Sequence, residues 1–140
     1  MDRRTLLAAL LLPVPAQAHS LSIGAIAIGH AWALPANHVD GQAFMPIVNR
    51  GDRPEELVAA RSEICGLIEF RRNARYDDPP LDRFTLDPGV PLPMRPGARH
   101  LRLVNLARPL EAGAGFTIIL DFLNAGEVEV EVMIEAAPND

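Results

Sequence analysis

The residues of this 140-residue chain able to hold a soft or borderline metal ion are few: His19, His30, His38 and His100, the methionines Met45, Met94 and Met133 besides Met1, and one cysteine, Cys65. Imidazole suits copper generally, and a thioether suits Cu(I). His19 gains its interest from what precedes it. Arg3 and Arg4 form a short basic region, Leu6 to Val14 is apolar, and Ala16-Gln17-Ala18 puts small residues at the −3 and −1 positions of a cleavage site. That order is the grammar of a secretory signal peptide. The apolar run is about half of what a membrane-spanning helix needs. The expectation is a signal over residues 1–18, removed after Ala18, and a mature periplasmic domain over residues 19–140. His19 would then carry a free α-amine, and that amine with its own imidazole can chelate copper. Combined with His30 or His100, it makes a candidate Cu(II) site.

The other reactive-looking groups read as structural. Met45 and Met133 alternate with apolar strand neighbours, so both read as core, as does the strand-borne Trp32. Cys65, in Ile64-Cys65-Gly66-Leu67, is expected to be inert through burial, and a single cysteine allows no intrachain disulfide. Asp77-Asp78 precedes Pro79-Pro80 and reads as a solvated loop. No Gly-x-Ser-x-Gly, phosphate-cradling glycine loop or His-x-x-x-His is present, so the chain is read as a non-enzyme. Net charge is −5 and every basic residue is an arginine, a poor match to nucleic acid. Arg71, Arg72 and Arg75 nevertheless cluster, with Arg99 and Arg102 candidates to join them. They are either a solvated sheet edge or a docking patch for an acidic partner.

The elements that must position these groups are strands. About 120 residues after the signal is one domain by the usual size prior. Ser22 to Trp32, Ala43 to Asn49, Glu56 to Ala60, Leu67 to Arg71 and Arg99 to Leu106 read as strands, with a short extended stretch at Arg83 to Leu86 inside a proline-rich loop. Glu127, Glu129 and Glu131 alternate with Val128, Val130, Val132 and Ile134, the period of a half-buried strand. Asn124-Ala125-Gly126 joins it to Phe116–Leu123 as a hairpin. No segment sustains a helical apolar period. The class is all-β, an antiparallel β-sandwich or Greek-key barrel.

Several segments together resemble a known family. Gly29-His30-Ala31-Trp32-Ala33, Val48-Asn49-Arg50-Gly51-Asp52 with Glu56-Leu57-Val58, Met94 to Leu101, Leu106 to Gly113, and Asp121-Phe122-Leu123-Asn124-Ala125-Gly126 occur in the order of the PCu(A)C periplasmic copper chaperones. The resemblance implies a cupredoxin-like β-sandwich, copper as cargo, and a copper-receiving periplasmic or membrane-anchored partner in the supply of cytochrome oxidase. It also implies a core place for Met94, which stands where the family usually has Leu, and a ligand set of a His, a Met and a His-x-Met pair. His100 matches the second His, but Arg102 stands at the following Met position, Arg71 at the first His, and no Met lies between Asn73 and Arg83. Arginine offers no lone pair. The expectation is therefore an altered site for Cu(I) or Cu(II) drawing on His100, His19 or His30. The alternative is a divergent member without metal that serves as a protein-interaction module.

Overall fold

The computed structural model describes residues 20–37 and 39–136, and its regular elements are all β-strands. In chain order they are β1 (Leu21–Ile23), β2 (Ile26–Ile28), β3 (Ala31–Ala33), β4 (Gly41–Phe44), β5 (Ile47–Asn49), β6 (Glu55–Arg61), β7 (Cys65–Arg71), β8 (Phe84–Leu86), β9 (His100–Leu106), β10 (Gly115–Phe122) and β11 (Gly126–Ile134). The proposed signal segment and His19 lie outside the described residues, as does His38.

Two expected strands are broken for steric reasons. Ser22 to Trp32 is three strands, not one. Gly24 takes φ 57°, a left-handed turn that an L side chain resists, and it folds β1 onto β2. Gly29 then breaks the line again: its N–H donates to the Pro46 carbonyl at 2.9 Å, and a Cβ there would meet Pro46 Cγ at 2.6 Å. Ala43 to Asn49 likewise divides into β4 and β5 at Met45-Pro46, where proline has no N–H for a ladder. The remaining strands fall where the alternation put them, and the β10–β11 hairpin pairs Phe116 with Val132 and Phe122 with Gly126.

The strands build a small sheet ordered β1-β2-β5 and a large one ordered β7-β9-β4-β3-β11-β10-β6-β8. Pairing is antiparallel except that β3 runs parallel to β11, with Met133 opposite Trp32. That parallel pair and the neighbourhood of β4 with β9 require long crossovers, as in a Greek key. The core between the sheets holds Ile26, Ile28, Met45, Ile47, Leu57, Leu101, Leu103, Ile118, Leu120, Phe122 and Val132, each at most 2% exposed. Burial of a side chain of this size contributes roughly 1.5–3 kcal/mol. Met94 packs half-buried against this core, so Met45 and Met94 take the structural places expected of them.

One buried carboxylate ties the hairpin to β6. Glu55, 6% exposed, accepts hydrogen bonds from the N–H groups of Glu56 (2.8 Å), Asn124 (3.0 Å) and Ala125 (2.8 Å) and from the Asn124 amide (3.0 Å). Burial pushes its pKa up, but these donors together outweigh burial and hold it below the ordinary value. A carboxylate depressed in the folded state stabilises above its unfolded pKa of about 4.3 and loses that contribution as pH falls below it. Glu55→Ala should lower stability in urea unfolding at neutral pH by about 2 kcal/mol, and its loss should flatten the acid limb of the stability curve.

Candidate functional site

The outer face of the large sheet carries two separate groups of the residues of interest. The first surrounds His100, the first residue of β9. It is 0% exposed, and its ring is fully hydrogen-bonded: Nδ1–H donates to the Ala98 carbonyl at 2.7 Å, while Nε2 accepts from the Tyr76 hydroxyl at 2.7 Å. A donor at one nitrogen and an acceptor at the other is the neutral tautomer. Burial pushes the pKa down, the Arg71 and Arg102 charges push it the same way, and only the Ala98 hydrogen bond opposes them. The sign follows for stability. A histidine depressed in the folded state destabilises as pH falls below its unfolded value of about 6.5, because the unfolded chain takes up the proton first. Urea unfolding should therefore show a loss of stability starting near pH 6.5, and His100→Gln should remove that stage.

Both arginines at ligand-matching positions are committed elsewhere. Arg71, with its side chain 5% exposed, donates from Nε and Nη2 to Glu69 Oε1 (3.0 and 2.7 Å) and from Nη1 to the Asp78 carbonyl (2.6 Å). Arg102 donates to Glu69 Oε1 at 3.1 Å and pairs with Asp40. Its guanidinium lies 4.0 Å from the centre of the Tyr76 ring, with that of Arg71 at 5.2 Å. Stacking and ion pairing of this kind suit the planar guanidinium. Two cations are thus neutralised by two carboxylates under the loop after β7, and the two guanidiniums themselves have no lone pair to offer a metal. The expected docking patch loses Arg71 and Arg102 for the same reason: they are sealed by Glu69, Asp40 and Tyr76 rather than presented to a partner. Glu69, Asp40 and Tyr76 were not legible as functional residues in the sequence, although Tyr76 is the sole tyrosine of the chain.

An aromatic row leads away from this cluster across three neighbouring strands. Tyr76 lies edge-on to His100 (5.8 Å), His100 lies 6.2 Å from Phe44 on β4, and Phe44 lies 4.6 Å from Trp32 on β3. Trp32 is half-buried on this outer face, not in the core between the sheets. Met133, opposite it, is likewise only half-buried.

The second group lies past Trp32. His30 Nε2 is 2.7 Å from Glu135 Oε2, with side-chain exposures of 29% and 40%. Glu135 is fixed by its own N–H, which donates to the Ala33 carbonyl at 2.9 Å. His30 lines a cavity of about 320 Å³ together with Ser20, Glu129, Glu131 and Met133. The fold does not join His30 to His100, since each has its own partners at its own end of the row. Among the described residues no three His, Cys, Asp or Glu side chains converge as a metal-holding group. Cys65 is half-buried at the start of β7, and burial pushes its thiol pKa up, the unreactive direction.

Residues 26–134 match the family described as "Putative lipoprotein LpqE-like". The chain belongs to this family. Among curated relatives, the LpqE-like chain is 25% identical to "Putative lipoprotein Lxx21020" of Leifsonia xyli over 129 residues, 89% of this chain and 78% of that protein. Among solved structures it is similar to the copper-bound PCuAC domain from PmoF2, with TM-score 0.76 and 29% identity, covering 85% of this chain and 99% of that domain. It is equally similar to the apo PCuAC domain from PmoF1, with TM-score 0.77 and 26% identity over 85% and 100%. The Cu(I) form of DR1885 from Deinococcus radiodurans shares the fold, with TM-score 0.65 at 20% identity over 84% and 81%. The LpqE-like chain therefore has the PCuAC copper chaperone fold, as the sequence resemblance implied.

Proposed function

We propose that this protein is an exported, non-enzymatic copper carrier of the PCuAC type that holds its cargo at the His30 end of the domain and not on the β7–β9 face. One observation carries the reading. The positions matching the family's ligands are occupied by Arg71 and Arg102, each bound to carboxylates, and His100 is sealed by Tyr76, whereas His30 borders an open cavity. Ser20, on the wall of that cavity, is bonded directly to His19. After cleavage behind Ala18, the α-amine and imidazole of His19 would supply donors beside the His30 imidazole. Nitrogen donors with neighbouring carboxylates, Glu135 among them, favour Cu(II) over Cu(I). The partner would be a copper-receiving protein of the periplasm or membrane, with cytochrome oxidase supply the route that the family resemblance suggests.

The test is titration of the chain beginning at His19 with Cu(I) and Cu(II) separately against a competing chelator. One Cu(II) bound per chain, lost when His19 is replaced by alanine, is the expected result. Tight binding that survives His19→Ala but fails in His100→Ala would overturn the placement. Absence of binding by either ion would leave the alternative, a domain that has kept the fold and serves as an interaction module.

A further inference from the structure

The end of the molecule beyond the sealed arginine cluster carries a second set of arginines without ion-pair partners among the described residues. The register of β7 against β9 closes with Arg71 opposite His100, so Arg72 and Arg99 flank that last pair. Arg95 joins them through a tight turn: its N–H donates to the Arg99 carbonyl at 3.0 Å, and its own carbonyl accepts from Ala98 N–H at 3.1 Å. Arg75 sits in the loop that the Tyr76 hydroxyl pins over the start of β9, braced by its N–H to Asn73 Oδ1 (2.8 Å). Arg72, Arg75 and Arg95 are exposed; Arg99 is half-buried, anchored to the Pro93 carbonyl at 3.1 Å and over the Phe84 ring. Among the described residues none of these four guanidiniums is within ion-pair distance of a carboxylate.

We infer that this pole, Arg72, Arg75, Arg95 and Arg99, is a docking surface for the acidic face of a partner protein. Four arginines at one end of the sheet, without an ion pair among the described residues, present a positive surface that a negatively charged partner would complement. Arginine in place of lysine fits paired recognition of carboxylates, and arginine is enriched at protein interfaces. The alternative anion is a lipid surface. Two features favour a protein. Asp77 and Asp78 lie exposed in the same loop as Arg72 and Arg75, so the charge is patterned, and a uniformly anionic membrane would repel those two carboxylates. The loops are also stiffened by Pro79, Pro80, Pro93 and Pro96, which suits a surface of fixed shape.

The surface requires no copper, so it is tested on the metal-free chain, independently of the carrier reading. The probes are a glutamate-rich peptide and phosphatidylglycerol vesicles, with backbone amide shifts followed by NMR. The expected result is peptide-induced shifts confined to residues 72–78 and 93–100, weakening as salt rises. Arg72→Glu with Arg75→Glu should reduce peptide affinity by about tenfold with an unchanged melting temperature. If that double variant does not fold, Arg95→Glu in the exposed turn serves instead, with a smaller loss in the same direction. Undiminished affinity in the charge-reversed chain, shifts centred elsewhere, or tighter binding to the vesicles than to the peptide would overturn the inference.

Discussion

Glu69→Ala should be among the most destabilising single substitutions on the outer face of this domain, lowering the free energy of unfolding by about 3–5 kcal/mol. Its carboxylate receives two bonds from Arg71 and one from Arg102 through a single oxygen. Arg71 has no other carboxylate partner among the described residues, and its side chain is 5% exposed. Removing Glu69 leaves that cation buried and uncompensated, which is far more costly than never having placed the pair there. Burial raises the Glu69 pKa, but the two arginines outweigh it and hold the carboxyl below its ordinary value. Its contribution is therefore complete above about pH 4.3 and disappears as pH falls below that. Urea unfolding of Glu69→Ala checks the magnitude, and hydrogen exchange over residues 72–81 checks the mechanism, since Tyr76 and the Asp78 carbonyl lose their anchors together. As a comparison, Glu129→Ala, on the exposed side of β11, should stay within about 0.5 kcal/mol of the parent. Equal effects of the two substitutions would mean that the arginine cluster is a bystander.

The second large effect concerns copper. His30→Ala in the chain beginning at His19 should weaken Cu(II) binding at least about 100-fold, since even residues that only support a ligand are worth about 10–100-fold. His100→Ala should leave the affinity unchanged, because its ring is already bonded on both nitrogens. Trp32 gives a convenient readout: the only tryptophan, it lies two residues from His30 on the same outer face, and bound Cu(II) should quench its fluorescence. Quenching that survives in His30→Ala and vanishes in His100→Ala would return the site to the β7–β9 face.

The sequence was most informative where a single periodicity decided the outcome. The Glu–Val alternation of β11 and its Asn124-Ala125-Gly126 turn needed only a sheet with one wet face, and the ordered family segments carried the PCuAC fold. It was least informative where one residue's backbone broke a run. Gly24, Gly29 and Pro46 divide two expected strands into five, because a left-handed turn, a close approach and a missing N–H act on single positions that periodicity averages over. The two arginines at ligand-matching positions were visible in the sequence, and with them the loss of the soft donor set. What neutralises them was not. Asp40, Glu69 and Tyr76 come from the segment before β4, from β7 and from the loop after β7, and only the antiparallel register of β9 with both β4 and β7 brings them around Arg102. Likewise His30 and Glu135, 105 positions apart, meet only because β11 runs parallel to β3. Sequence thus determined which chemistries were available and which had been given up. Tertiary structure decided which of the remaining groups are already bonded to the protein and which still face an open cavity, because hydrogen-bond partners are assigned by strand pairing between distant segments and not by neighbours in the chain.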